Sequence, residues 1–389
     1  MVSVFLTNSP LKAFAVSSHF RNQSAAFLLG LSLLILSGCR DSSPKSLPAA
    51  ANAGSRGAVE PDSPEAIAAL EKVQADLQRD TAGRVTHVSF GEVPLNDELL
   101  NSLATLPQLQ NLGVSNSQLT MAGWQQVGKL KQLRQLDLRD CSLGNEELAA
   151  AISGLAELQV LKLSGKNGAT TVDDAGMAAL KGCSKLKVLA ADFLWISDTG
   201  LAELTALKDL RELYLASSLV DDAALARIVA IPSVRKLRIA KTGVGRDGLN
   251  HLTALKLEEL DASECININD EALEPIGKIV TLKKLNLWRD AISDAGVAHL
   301  AGLTNLEWLN VDNTQLSDEG LKSLSGFSKL SFLHLGSTAV TDSGMSELTK
   351  LKSLKELKVT RTSVTEGGIH PLRQALPQID IQLKYGEQE

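Results

Sequence analysis

Few residues in this chain of 389 have the types and spacing that catalysis or metal binding requires. The chain holds six histidines and four cysteines, and it contains no His-Glu-x-x-His, phosphate-binding glycine loop, Gly-x-Ser-x-Gly or Cys-x-x-Cys motif. His251, His299 and His370 recur at matching positions of predicted helices, which is typical of surface residues rather than of metal ligands. We therefore predict no catalytic residue, no metal site, no cofactor and no enzymatic activity.

The first cysteine, Cys39, directly follows an apolar segment. Residues 25–36 are too short to span a bilayer comfortably and fit the core of a secretory signal. The tetrad Leu36-Ser37-Gly38-Cys39 resembles the bacterial lipobox, which implies cleavage before Cys39 and lipid attachment to it. The alternatives are an ordinary signal cut near Gly38 and an uncleaved anchor. We expect an exported protein, lipid-anchored to a membrane of the cell envelope.

A leucine pattern with a period of about 24 residues fills most of the chain. Residues 306–321 and 330–345 both fit L-x-x-L-x-L-x-x-[TCS]-x-L-[ST]-D-x-G-L, with Met345 in place of the last leucine. The first leucines of successive units lie within a residue of this spacing, except that Leu158 and Leu186 are 28 apart. The pattern resembles the leucine-rich repeat family. This resemblance implies an α/β solenoid (horseshoe) of about eleven repeats, with a parallel concave sheet and convex helices.

Three columns of the pattern have a physical explanation. A small hydrogen-bonding residue such as Thr314 can satisfy backbone groups where the chain leaves each strand, whereas Leu194 and Asp290 depart from this column and predict locally different turns. Ser/Thr-Asp pairs such as Ser317-Asp318 can cap the following helix. A glycine such as Gly320 two residues later suggests close approach of the neighbouring repeat.

The domain boundaries follow from composition and pattern. We predict a lipoprotein signal peptide over 1–38, a lipidated disordered linker over 39–62, an N-terminal capping helix over 63–84 and the repeat domain over 85–389. The capping helix rests on the start signal Ser63-Pro64-Glu65 and on one apolar stripe, made of Ile67, Leu70, Val73 and Leu77.

The charge balance restricts the class of partner. The chain has a net charge of −6, and removal of residues 1–38 takes away Lys12 and Arg21 but no acidic residue, which leaves about −8. This balance argues against nucleic acid as the main partner and against adhesion of a helix to anionic lipid. We expect a monomer that binds a protein or peptide.

The outward positions of the predicted strands indicate where such a partner could bind. Trp308 and Phe332 are neighbours in one outward column, in a chain that is only 4% aromatic. Exposed aromatic residues with a polar surround are typical of interface hot spots. The alternative is that the pair only packs across strands or is covered by a chain terminus. The candidate ligand-binding residues are Trp288, Arg289, Trp308, Asn310, Asp312, Phe332 and His334.

Two further surfaces are weaker candidates. Glu212, Lys236, Glu259 and Lys284 alternate in sign along one column, and we favour a set of mutual ion pairs over a docking strip. The loop 165–171 lengthens one repeat, although most such insertions are neutral. The sequence therefore predicts a membrane-anchored, non-enzymatic interaction module with a protein or peptide on its concave face. A binder of envelope polysaccharide is the alternative, and an enzyme with an unrecognised site is less favoured.

Overall fold

A single sheet runs through the computed structural model, which describes residues 60–91 and 93–384. Its strands follow one another in chain order, and all neighbours pair in parallel except the antiparallel pair β1–β2. The strands are β1 Asp76–Arg79, β2 Val85–Ser89, β3 Asn111–Gly113, β4 Gln135–Asp137, β5 Val160–Ser164, β6 Val188–Asp192, β7 Glu212–Tyr214, β8 Lys236–Arg238, β9 Glu259–Asp261, β10 Lys284–Asn286, β11 Trp308–Asn310, β12 Phe332–His334, β13 Glu356–Lys358 and β14 Asp380–Gln382.

A short helix connects most pairs of neighbouring strands. The α-helices are α1 Pro64–Lys72, α2 Asp97–Ala104, α3 Met121–Val127, α4 Asn145–Ile152, α5 Asp174–Met177, α6 Asp198–Glu203, α7 Asp222–Ile228, α8 Arg246–Leu252, α9 Leu273–Gly277, α10 Asp294–Ala298, α11 Asp318–Leu321, α12 Met345–Leu348 and α13 Glu366–Ala375. Several continue or begin as 3₁₀ turns, at Ala178–Gly182, Leu204–Ala206, Asp270–Ala272, His299–Gly302 and Lys322–Gly326.

The repeat leucines form one continuous core between the sheet and the helices. Leu309 and Val311 on and after β11 are fully buried, and so are Leu321, Leu324 and Phe327 after the turn. This confirms the predicted register, in which alternate strand residues point inward. Burial of each leucine stabilises the fold by roughly 1.5–3 kcal/mol, and stacking neighbouring repeats provides that burial.

The turn column uses its hydroxyl groups as predicted. The Thr314 hydroxyl donates to the carbonyl oxygen of Val311 at 2.7 Å, and Thr338 and Thr362 make the same contact in the next repeats. Leu194 and Asp290 are locally different, as expected. In those two turns the N–H of Ile196 donates to the carbonyl oxygen of Leu194, and the N–H of Ile292 donates to that of Asp290, each at 2.9 Å.

Many helix starts are hydrogen-bonded to the preceding repeat. Ser317 caps α11 by accepting from the N–H of Glu319. The Ser317 N–H and hydroxyl in turn donate to the carboxylate of Asp294, one repeat earlier, at 2.7 and 2.5 Å. The same contact joins Asp174 to Ser197, Asp270 to Ser293, Asp318 to Thr341 and Asp342 to Thr365. We refer to these as the inter-repeat aspartate contacts.

These contacts explain the glycine column. A Cβ atom on Gly320 would lie 2.4 Å from Oδ1 of Asp294, which is too close for any side chain. Gly200, Gly248 and Gly296 meet the aspartate of their own preceding repeat in the same way. The predicted close approach is therefore confirmed, and its cause is the carboxylate that joins neighbouring repeats.

One residue per turn has a left-handed backbone conformation although it is not glycine. In most of these turns its N–H donates to a carbonyl of the following repeat, for example from Lys241 to Ser263 at 2.9 Å and from Asn313 to Gly336 at 2.8 Å. Such a conformation costs about 1 kcal/mol or more for a residue with a Cβ atom. Members of this left-handed column are Asn116, Asp140, Phe193, Ser217, Lys241, Glu264, Arg289, Asn313, Ser337 and Arg361.

The N-terminal cap differs from the sequence expectation, which placed Leu77 on the helical stripe. Helix α1 ends at Lys72, Gln74 takes a left-handed conformation, and Leu77 lies on β1 opposite Val88 of β2. The stripe misled because apolar residues three or four apart are also buried when a short helix ends and a strand follows, as at Leu70 and Leu77. The cap is therefore a helix followed by an antiparallel hairpin.

The chain enters the fold at the starting ends of the strands. Asp62 accepts a hydrogen bond from the N–H of Val85, the first residue of β2, and the Ser63 N–H donates to the Thr105 carbonyl. The described residues form one compact unit with its own core, closed by α1 and the hairpin at one end and by α13 and β14 at the other. Among these residues no helix is both long and apolar enough to cross a membrane. Cys39, the predicted signal segment and residues 39–59 of the predicted linker lie outside the described residues, whereas Asp62 at the end of that linker is hydrogen-bonded into the fold.

Candidate functional site

The predicted site residues lie together on the outward face of the sheet, on β10 to β12 and the turns that follow. Trp308 is in register with Phe332, and Asn310 is in register with His334. Asp312 and Trp288 occupy the outward positions just after their strands. The pairing agrees with the predicted register for the four candidate residues on β11 and β12.

Trp308 and Phe332 form a stacked pair. Their ring centroids are 4.9 Å apart, the ring planes differ by 5°, and both side chains are half-buried. The Lys358 ammonium on β13 lies over the Phe332 ring, 5.6 Å from its centroid. Because β11 and β13 flank β12 on opposite sides, Phe332 has an aromatic ring on one face and an ammonium group on the other. The edge of this ring, rather than a free face, is therefore what Phe332 presents above the sheet.

His334 extends the site along β12. Its ring meets Phe332 edge-on at 6.4 Å between centroids, and only 9% of the residue is exposed. Burial, together with the charge of Lys358, lowers the pKa of His334 to about 4. The imidazole is thus neutral at physiological pH and can both donate and accept a hydrogen bond.

A polar cluster, made of Asp312, His334 and Thr360, surrounds Gly336. A Cβ atom on this glycine would lie 2.9 Å from Asp312 Oδ1, 2.9 Å from His334 Nε2 and 3.0 Å from Thr360 Oγ1. Burial raises the pKa of Asp312, although the side chains of Ser337 and Trp288 stabilise its ionised form by hydrogen bonding. The glycine is required because three polar side chains converge over it.

Arg289 and Asn310 have more local roles. The Arg289 guanidinium lies over the ring of its neighbour Trp288, 5.3 Å from the centroid, and donates to Glu264 at 3.2 Å. Asn310 Oδ1 accepts from the N–H of Asp312, so this side chain partly serves the turn after β11. Both residues border the aromatic pair rather than extend it.

Sequence reasoning missed Lys358, Gly336 and Thr360. Lys358 was in an outward column but was not connected to Phe332, because a cation over a ring depends on side-chain conformation. Gly336 and Thr360 occupy the column of Trp288 and Asp312, where a glycine among larger residues is the signal that could have revealed the cluster.

The charged strip is a set of mutual ion pairs, as favoured from the sequence. Lys236 contacts Glu212 at 3.2 Å and Glu259 at 3.4 Å, and Lys284 contacts Glu259 at 3.5 Å. Each charge is therefore satisfied by a neighbour within the column.

A second charged group lies beside the strip. Arg238 reaches Asp192 two strands away at 3.0 Å and Asp261 on the adjacent strand at 3.1 Å. Burial raises the pKa of both carboxyl groups, and the Arg238 charge opposes that effect. Since all three side chains are largely buried, this group holds β6, β8 and β9 together and offers little to a ligand.

The 165–171 loop is held against the neighbouring turn. The Thr170 hydroxyl donates to the Cys141 carbonyl at 2.9 Å, and Asn167 donates to the carbonyl of Asp140 at 3.1 Å. These contacts give the insertion a structural role in its repeat.

Comparison with solved structures identifies the architecture. An internalin (inlF) from Listeria monocytogenes superposes with a TM-score of 0.56 at 20% sequence identity, covering 85% of this chain and 97% of the other. The fold is a leucine-rich repeat solenoid. At this identity the likeness is one of fold. The solenoid contains the predicted parallel sheet and alternating helices.

Two further structures match less extensively. A plant peptide hormone receptor, RGFR1, in complex with RGF2 has a TM-score of 0.45 at 16% identity, over 76% of this chain and 52% of the receptor chain. A second Listeria monocytogenes internalin, inlC2, has a TM-score of 0.37 at 23% identity, over 60% of this chain and 83% of the other. No protein-family model and no curated protein sequence matches the chain.

Proposed function

We propose that the solenoid is a non-enzymatic binding module that holds a protein or peptide on the outward face of its sheet and is tethered to a membrane through Cys39. The aromatic pair Trp308 and Phe332 carries the proposal. It is a half-buried apolar centre bordered by Lys358 and by the polar cluster around Gly336. An apolar anchor within a ring of hydrogen-bonding groups is the usual composition of a protein interface hot spot.

The ring arrangement favours a peptide over a polysaccharide. Sugar recognition by aromatic residues uses an open ring face, and both faces of Phe332 are occupied by Trp308 and Lys358. Ring edges and a neutral histidine suit the irregular apolar and amide groups of a peptide better. Envelope polysaccharide remains the second candidate, because Asn310 and Asp312 could accept hydrogen bonds from sugar hydroxyl groups.

The experiment is capture of partners from native membrane extracts by residues 60–389, followed by affinity measurement. Trp308→Ala and Phe332→Ala should each weaken the captured complex by about 2 kcal/mol or more, because each removes part of the apolar centre. Trp195→Ala is the matched control, since this tryptophan is 74% exposed on a turn outside the site.

The outcomes separate the alternatives. Unchanged affinity in both site variants, with lowered thermal stability, would show that the pair only packs the sheet. Saturable binding of purified envelope glycans that Trp308→Ala abolishes would favour the polysaccharide candidate. Loss of binding in the Trp195 control as well would place the interface elsewhere.

A further inference from the structure

The charges of the solenoid are separated between its two rims. Acidic residues gather in the first turns of the helices, as at Asp198, Asp294 and Asp318. The segments that lead from each helix to the next strand carry fifteen basic and only four acidic residues, although the chain has a net charge of −6. We call these fifteen the basic rim: Lys129, Lys131, Arg134, Lys185, Lys187, Lys208, Arg211, Arg235, Lys256, Lys278, Lys283, Lys329, Lys350, Lys352 and Lys355.

Most of this positive charge is not neutralised locally. Ion pairs with carboxylates engage Lys185, Lys278, Lys283 and Lys350. Across residues 60–91 and 93–384, the other members form no ion pair with an acidic side chain. Nearly all of them are exposed. The rim therefore presents a row of solvated cations along one edge of the sheet.

One part of the rim contains an open groove of about 770 Å³. Lys329, Lys352 and Lys355 line it, together with one acidic residue, Glu307. Its apolar lining includes Leu354 and Leu376, which are buried, and Pro377, which is exposed. Positive groups beside apolar lining suit the phosphate and upper glycerol region of a phospholipid.

The chain enters the fold on this same rim. Asp62 is hydrogen-bonded to Val85 at the start of β2, and Ser63 to Thr105 in a helix-to-strand segment. Cys39 lies about 20 residues earlier, and the linker that the composition predicts would span roughly 25 Å on average. The proposed lipid tether would thus hold the basic rim close to the bilayer surface, at high effective concentration.

We propose that the basic rim is the surface by which the solenoid lies against an anionic phospholipid membrane. This rests on the proposed tether, which would bring the rim close enough to the bilayer surface for its charges to act. Each lysine or arginine near an anionic surface strengthens binding about fivefold. With the rim on the membrane, the outward face of the sheet stands upright and stays open to a partner. The overall negative charge concealed this surface from a composition argument.

The test uses residues 60–389, which contain the whole core and lack the tether. The fragment is sedimented with phosphatidylcholine vesicles that either lack phosphatidylglycerol or contain about one third of it. Two triple variants remove rim charges, and a third removes three exposed basic residues elsewhere as a control of equal net charge. The variants are Lys329→Gln with Lys352→Gln and Lys355→Gln, Lys129→Gln with Lys131→Gln and Arg134→Gln, and the control Lys166→Gln with Arg246→Gln and Lys322→Gln.

We expect binding only to the anionic vesicles, loss of binding in about 1 M salt, and at least tenfold weaker binding of both rim variants than of the control. Equal loss in the control would overturn the proposal, because net charge alone would then explain the attraction. Absence of binding to anionic vesicles would also overturn it. Tighter binding to duplex DNA than to anionic vesicles would assign the rim to nucleic acid instead. None of these results depends on Trp308 or Phe332, so partner capture is judged separately.

Discussion

At the level of single residues, the clearest departure from the repeat is a carboxyl group where other turns hold a hydroxyl. Asp290 is 2% exposed, and its Oδ1 accepts a hydrogen bond from the N–H of Cys265. Its Oδ2 has no hydrogen-bond partner among the described residues. Burial raises the pKa of Asp290 to about 8, and the charges of Asp261 and Glu264 act in the same direction. The folded protein thus holds this proton at neutral pH.

We predict that Asp290→Asn removes a pH-dependent loss of stability. The unfolded chain releases this proton near pH 4, whereas the folded chain keeps it until about pH 8. Stability conferred by the protonated group is therefore present below about pH 4 and declines as pH rises through that interval, by up to about 1.4 kcal/mol per pH unit. In urea unfolding at several pH values, the free energy of unfolding of the wild type should fall relative to that of Asp290→Asn as the pH rises. Parallel curves would contradict the assignment.

The same position shows where sequence reasoning ends at this scale. The turn column predicted that Asp290 would be locally different, because a carboxyl group cannot act as a hydroxyl donor once ionised. Its protonation depends on burial and on the nearby charges of Asp261 and Glu264. The repeat register alone does not show that these groups lie close to Asp290. The outward aromatic pair was predictable, since Trp308 and Phe332 are exactly one repeat apart. Lys358 over the Phe332 ring was not.

At the level of elements, neighbouring repeats are joined by side chains as well as by the sheet. The carboxylate of Asp294 sits between α10 and α11, where it accepts two hydrogen bonds from Ser317 and lies against Gly320. The sequence predicted the serine cap and the small residue separately. From the sequence, Asp294 could be assigned only to the start of its own helix, because the pattern of one repeat does not show which side chains of the next repeat lie within contact distance.

We predict that Gly320→Ala destabilises the solenoid by roughly 1–3 kcal/mol, because the new Cβ would overlap Asp294 Oδ1 and the Leu316 side chain. Gly326→Ala in the same repeat is the matched control. Its Cβ would meet its nearest neighbour, the Ala301 carbonyl oxygen, at 3.6 Å, an ordinary contact. Thermal unfolding of the two variants measures the difference. Equal melting temperatures would mean that neighbouring helices can move apart without cost.

The N-terminal cap shows a different limit of prediction. The apolar stripe of Ile67, Leu70, Val73 and Leu77 has a helical period, but the helix ends before Val73. The left-handed Gln74 redirects the chain so that β1 can pair with β2 and cover the first edge of the sheet. Closing an open sheet edge outweighs local helical preference, and this gain exists only in the folded molecule.

At the level of the whole molecule, net charge was a poor guide to surface chemistry. A net charge of −6 would exclude anionic partners only if the charges were spread evenly over the surface. The repeat instead separates acidic from basic residues. Most units place acidic residues at a helix start and many place basic residues before a strand, so stacking turns a local preference into two charged rims. The period and the solenoid could be predicted because many columns of the repeat agree. The two charged rims could not, because they arise only when the charges of successive repeats are stacked side by side.

Membrane attachment through Cys39 is the prediction that concerns the entire chain. We expect the wild-type protein to partition into detergent and to carry an acyl mass on a mature N-terminus at Cys39. Cys39→Ala should yield an unprocessed or soluble form, which mass spectrometry and phase partitioning distinguish. An unmodified mature wild-type N-terminus would show that the segment is an ordinary signal.

The left-handed column gives the solenoid a direction in which it comes apart. The N–H of most such residues donates forward, as from Ser217 to Ala240, Glu264 to Trp288 and Ser337 to Thr360. Fraying at the C-terminal end therefore removes this restraint from the preceding turn and loosens its repeat. Fraying at the N-terminal end leaves these forward bonds in place, and the bonds that it removes are those of caps that donate backward, as from Ser317 to Asp294. We therefore expect local unfolding to begin at α13, at the C-terminal end, and to proceed repeat by repeat toward the N-terminal hairpin.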